Sequence, residues 1–204
     1  MSNEQPFPAG PIDWSGENPG MYLKESVDGP FVTLLTFFRV VLSPHGRGRG
    51  LVLVEAPDAT ESQPEALNIC VTDNEPLAHY LIENFVRHFG PFRGVPALGA
   101  LDFRRLHDVE TDSIGGNRYE ERIKGDGLEA RLAWEELGEP FMVDMPPDQS
   151  ATGRHRMFSL FVDSKRVTAE VNGRTLRGQP QPRDFCGRAS TTAFLAFSET
   201  WLSA

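Results

Sequence analysis

Of the 204 residues only two are cysteine and only three are lysine, and no stretch approaches the roughly 20 apolar residues of a membrane-spanning helix. Each scarcity narrows the reading. Cys70 lies in an apolar, strand-like run and Cys186 follows Phe185 near a turn. Neither has a C-x-x-C partner, so both are expected as free thiols in a reducing compartment, with no structural zinc, no other metal and no cofactor. The segment Met1 to Pro11 is polar and proline-rich and shows no charged-then-apolar leader, so the expectation is a cytoplasmic protein with no membrane partner. Catalytic signatures are missing as well. No G-x-S-x-G elbow, G-x-G-x-x-G turn or Walker loop occurs, which removes the usual support for hydrolase, dehydrogenase and NTPase readings.

Basic charge is in deficit. The formal net charge is −9, so a phosphate backbone is repelled and no nucleic-acid partner is expected. Seventeen of the 20 basic residues are arginine, scattered along the chain without a clustered motif, as in a protein from a GC-rich genome.

What the chain has in quantity is turn formers and aromatics. Nineteen glycines and 16 prolines favour many short strands over a helical bundle. Hydrophobic residues at 39% and charged residues at 24% describe an ordinary folded protein of a length that suits one domain. Residues 1–30, with five prolines and several glycines, read as an extended arm pinned by Trp14 and Tyr22, and residues 31–204 as a single barrel-like domain.

Strands are expected over Phe31–Leu42, Leu51–Val54, Leu67–Thr72, Leu98–Val109, Tyr119–Ile123, Leu128–Glu135 and Thr191–Leu202, with a basic, glycine-rich hairpin tip at Pro44–Gly50 and a loop over Pro140–Gly153. Arg156–Gly178 reads as a three-stranded meander. A type I′ turn at Asn172-Gly173 sets Ala169 against Leu176, and a turn at Ser164-Lys165 would pair Val162 with Val167, Leu160 with Ala169 and Phe158 with Val171. One helix is expected, from about residue 75 to 89. Asp73 or Asn74 caps it, Pro76 sits in its first turn, and Gly90-Pro91 stops it. Leu77, Leu81, Phe85 and Phe89, with Ala78 and Ile82, give it an apolar face against a stripe of Glu75, His79, Glu83 and Arg87. The sum is a mainly β fold: a curved antiparallel sheet, closed as a barrel of about nine strands, with one packed α-helix. Such a barrel removes exposed edges and its interior can hold one small ligand. It is an architectural analogy to the lipocalin-like proteins, although the Gly-x-Trp those barrels often carry near the first strand is missing here.

One residue breaks the pattern. In Ala193–Trp201 strict alternation sets Glu199 on the face of Leu195, Phe197 and Trp201, where an ionised carboxylate is costly unless paired or bound to a ligand. The candidate binding set is therefore Trp134, Phe197, Glu199 and Trp201, with Arg131 as the arginine that Glu199 reaches if its role is structural. Glu199 and His107 are the candidate acid/base residues. Around His107, the carboxylates Asp108, Glu110 and Asp112 share one strand face and read as solvated, and His107 points the other way. Arg154-His155-Arg156 could draw an acidic ligand to the barrel mouth. His155, Ser159 and Asp163 stand about 13 Å apart along one strand, too far for a triad.

Three functions follow as expectations. The first is a protein that binds a small apolar or amphipathic molecule in a mainly apolar pocket with a carboxylate anchor. The second is an enzyme on the same scaffold, using Glu199 or His107. The third is a homodimer joined at a sheet edge, with no small ligand.

Overall fold

In the computed structural model, which describes residues 10–59, 65–113 and 116–203, the chain forms a closed nine-strand barrel that is mainly antiparallel. Its strands differ in how many faces they bury, and this explains their compositions. In β3 (Phe31–Leu42) Leu35 and Phe37 enter the lumen while Leu34, Phe38 and Val40 face an outer layer. In β4 (Gly48–Glu55) Leu51 and Leu53 point in and Val52 and Val54 point out. Both faces are covered, so these strands read as unbroken apolar runs. By contrast β7 (Arg118–Gly125) and β8 (Leu128–Leu137) alternate, because their outer face meets water. Leu128, Ala130, Leu132 and Trp134 fill the lumen.

The residues expected as an arm are part of this wall. β1 (Ile12–Glu17) and β2 (Gly20–Lys24) form one strand interrupted at Asn18-Pro19, paired with β3 on one side and with the last strand, β14 (Ala193–Ser203), on the other. Glycine is required at two of its positions. A Cβ on Gly16 would sit 2.1 Å from the Arg39 carbonyl oxygen, and one on Gly20 2.7 Å from the Phe194 ring.

β5 (Asn68–Thr72) leads into α1 (Glu75–Asn84), which a 3₁₀ turn prolongs to His88, and the chain returns as β6 (Asp102–Asp112) parallel to β5. This crossover makes the barrel mixed and departs from an up-and-down meander. The Asn74 side chain accepts the Leu77 N–H at 3.1 Å, capping the helix, and its amide donates to the His45 and Arg47 carbonyls at 2.9 Å, which latches the glycine-rich tip. Leu77, Ala78, Leu81, Ile82 and Phe85 are buried against the outer face of the barrel, each large side chain contributing roughly 1.5–3 kcal/mol.

The meander differs from its expected form. The Asn172-Gly173 turn is present, and the Leu176 N–H donates to the Ala169 carbonyl at 2.8 Å. No turn occurs at Ser164-Lys165: β10 runs unbroken from His155 to Val171. Its first half pairs with β14 and its second with β8, so Val162 lies beside Leu195, Leu160 beside Phe197, Val167 beside Trp134 and Ala169 beside Leu132. The local turn signal yields to these two long-range ladders. Ser164 marks the changeover, fully buried, with its hydroxyl donating to the Glu135 and Arg166 carbonyls. Within the expected Pro140–Gly153 loop, β9 (Phe141–Met145) adds to the edge of β10. Arg174–Thr175 (β11) pairs with the end of β10, and β12 (Pro182–Phe185) and β13 (Arg188–Thr191) form a separate hairpin.

Candidate functional site

The lumen is packed solid with Trp134, Leu132, Phe37, Ile123 and their neighbours, so the interior ligand site expected from the sequence is absent among the described residues. The cavity lies outside the wall. A cleft of about 250 Å³ opens between the outer faces of β2, β10 and β14 and the covering layer made by the turns after α1, by β9 and by the β12–β13 hairpin. Glu199, Arg183, Tyr22 and Asn18, with Arg93 and Gln149, supply its polar groups, and Trp201, Phe89, Phe161, Phe185, Phe194 and two methionines its apolar walls.

A β-bulge puts Glu199 there. Phe158 pairs with Thr200 but Leu160 pairs with Phe197, so Ser198 and Glu199 together stand opposite Ser159. Ser198 takes φ 51°, and the Ser159 hydroxyl donates to the Phe197 carbonyl at 3.0 Å. The extra residue reverses the alternation. Phe197 stays on the lumen side, edge-on to Tyr119 at 5.7 Å, while Glu199 and Trp201 turn to the outer layer. Without the bulge both would enter the lumen, as strict alternation had placed them.

Glu199 is buried, and on its Oε1 it receives the Trp201 indole N–H at 2.7 Å and the Asn18 amide at 3.3 Å. Asn18 is in turn held by Thr36. Among the described residues no cation pairs with Glu199. Burial pushes its carboxyl up to about 7, and the two hydrogen bonds only partly offset this. Trp201 packs against Phe89, Phe85 and Trp14, which fixes its indole.

Arg183 enters from the β12–β13 hairpin. Its guanidinium lies over the rings of Phe185 and Phe194, 4.5 and 5.0 Å from their centroids, and its Nε and Nη2 atoms are buried without a hydrogen-bond partner. Burial lowers its pKa, opposed by the nearby Tyr22 and Asp163. Asp163 makes no ion pair with it. Its Oδ1 instead accepts the Ser190 hydroxyl at 2.6 Å, which ties the hairpin to β10. The Tyr22 hydroxyl is buried beside both charged residues, and burial raises its pKa.

The other expected residues lie elsewhere. Trp134 is at the core of the lumen, apart from the cleft, and its indole N–H donates to the Gly20 carbonyl at 3.1 Å. Arg131 is on the outer face of β8, bound to Glu120 and Glu170 and remote from Glu199. His107 is half exposed and bonds Asp126 at 2.6 Å, away from the cleft. Arg156 is engaged by Asp144 and Arg154 by Asn84. His155 is buried between Asp13, at 3.1 Å, and the Thr152 hydroxyl, at 2.9 Å. That alignment has the outline of a relay, but the Thr152 oxygen also accepts the backbone N–H of His155, which draws on the lone pairs a nucleophile needs. Sequence reasoning missed Arg183, Asn18 and the outer-wall role of Tyr22. Only the pattern break at Glu199 pointed to this region.

Compared with models of known protein families and with curated proteins, the chain finds no match.

Proposed function

We propose that this protein binds a small, mainly apolar molecule in the cleft on the outer wall of its barrel, with Glu199 as polar anchor. The observation that carries the reading is the Glu199 carboxyl: buried, without a paired cation among the described residues, held on one oxygen by Trp201 and Asn18, and facing a cleft walled by aromatic rings. A fixed polar group in an apolar concavity is the ordinary construction of a small-molecule site. At about 250 Å³ the cleft is below the range of drug-sized pockets and suits a molecule of about one fused-ring system. Native mass spectrometry of the purified protein should show a bound small molecule that is lost on denaturation. A fully ligand-free spectrum, together with no change in Trp201 fluorescence across a library of small aromatics, would refute the reading.

One observation favours a second reading, an enzyme in the same cleft. A carboxyl held near 7 is poised to give and take a proton close to neutral pH. Glu199→Gln separates the two: retained affinity with lost turnover indicates catalysis, whereas altered affinity with no turnover in either form indicates a binding protein.

A further inference from the structure

We infer that the molecule this cleft takes is an aromatic monocarboxylate, whose carboxylate pairs with Arg183 while its ring lies among the aromatic walls. The inference rests on the small-molecule reading above and adds the ligand's chemical class.

Arg183 is the strongest unexplained feature of the molecule. A guanidinium edge stripped of water without a counter-ion is costly, and so is a buried donor left without an acceptor. Here Nε and Nη2, both shut off from solvent, lack an acceptor among the described residues. These two nitrogens form one edge of the guanidinium fork, the edge that receives the two oxygens of a carboxylate side by side. Even more exposed arginines of this barrel are matched in that way by the protein itself: Arg174 meets Glu55 through two nitrogens at 2.7 and 2.8 Å, and Arg156 meets Asp144 at 2.6 and 2.8 Å. Arg183 alone of these three lacks a carboxylate partner within the described residues, and it is the one that lines the cleft.

Phe185 and Phe194 lie under the guanidinium and hold its plane, so the fork is oriented before any ligand arrives. Phe194 also meets Tyr22 at 5.3 Å and Phe161 at 5.2 Å, which continues an aromatic surface from Arg183 into the cleft. A flat ring attached to the carboxylate has its stacking partners in place. Charge decides against a phosphate. The cleft's second arginine, Arg93, is exposed and donates to the His88 carbonyl at 3.1 Å, so Arg183 is the cation at the aromatic wall; it neutralises a monoanion, but a dianion there would leave excess negative charge near Glu199, on a chain of net charge −9. Tyr22 and Glu199 then face the part of the ligand away from its carboxylate and suit a hydroxyl or ring N–H there.

The test is titration calorimetry of the full chain with 2-naphthoate, its neutral isostere 2-naphthamide and 2-naphthyl phosphate. Naphthoate should bind about ten- to hundredfold more tightly than naphthamide, the worth of a charge-assisted pair, and more tightly than the phosphate. Arg183→Gln should bring naphthoate down to the affinity of naphthamide and leave naphthamide unchanged. Arg183→Lys, which keeps the charge and loses the fork, should fall between and guards against misfolding of the Gln form. Equal binding of naphthoate and naphthamide would overturn the carboxylate while leaving the small-molecule reading standing. Tighter binding of the phosphate would overturn the monoanion. No binding by any of the three to the folded protein would overturn this inference and count against the cleft reading itself.

Discussion

Glu199 carries a cost that can be read from outside. Its carboxyl is near 7 in the folded chain and near 4.5 when free, so the folded state holds the proton more tightly. A raised carboxyl pKa means that stability falls as pH rises between these two values and levels off above about 7. The shift corresponds to about 3 kcal/mol across the window. Glu199→Gln should abolish that slope and stabilise the ligand-free protein at pH 7 by about 1–3 kcal/mol, since a Gln carbonyl can still accept from Trp201 and Asn18. Denaturant midpoints of both forms at pH 5 and pH 7 measure this, and a Gln form less stable at pH 7 would mean that the charge is compensated in solution. Beside it, Ser198 is exposed and holds φ 51°, a conformation costing a non-glycine residue about 1–2 kcal/mol. Ser198→Gly should therefore raise the thermal midpoint modestly, by about 0.5–1 kcal/mol of stability.

At the scale of elements, the bulge in β14 and the cap of α1 decide what surrounds the cleft. Deleting Ser198 would remove the bulge and leave Glu199 alone opposite Ser159, so that Phe197 still faces the lumen and Glu199 and Trp201 still face the outer layer. We expect that deletion to keep the native circular dichroism spectrum and soluble yield, as Ser198→Ala should; loss of both on deletion alone would show that the bulge itself is needed for the fold. The Asn74 cap joins two elements, because one side chain serves the helix N-terminus and two tip carbonyls. Asn74→Ala should cost about 1–2 kcal/mol in urea unfolding, and Asn74→Asp, which keeps only the helix cap, should recover part of it.

For the whole molecule, opposed titrations set the pH of greatest stability. Burial raises the Glu55 carboxyl, but the hydrogen bonds from Arg174 and the Leu67 N–H outweigh it and hold the group below its ordinary range. Hydrogen bonding by Arg156 likewise lowers Asp144. Groups with lowered pKa contribute fully above the free carboxyl value and lose that contribution as pH falls below it. Glu199 acts the other way, its cost growing from about 4.5 to 7. The thermal midpoint should therefore peak on the acid side of neutrality, near pH 5, and Glu199→Gln should broaden the peak toward pH 7. Closure of the barrel also removes most of the edges that a sheet-edge homodimer would use, and among the described residues it leaves the short edges of β9, β11 and the β12–β13 hairpin. Light scattering at micromolar concentration should accordingly give the mass of one chain.

By itself the sequence determined the mainly β class, the single helix, its face and its cap, the alternating strand Leu128–Glu135 and the Asn172-Gly173 turn, because each rests on contacts or backbone preferences a few residues apart. It also exposed Glu199 as a group out of place. Tertiary structure alone decided the rest. A Ser-Lys pair that could turn is held straight because two distant strands claim opposite halves of β10. A proline-rich opening becomes a barrel strand because β3 and β14 leave a gap for it. Glu199 and Trp201 face outward rather than inward because the ladder to β10 accommodates one extra residue, and Arg183 meets them across the cleft from a hairpin with no local mark of function. Side-chain facing in a strand has period two, so a single bulge set by a remote partner inverts everything after it, and no local pattern records the partner.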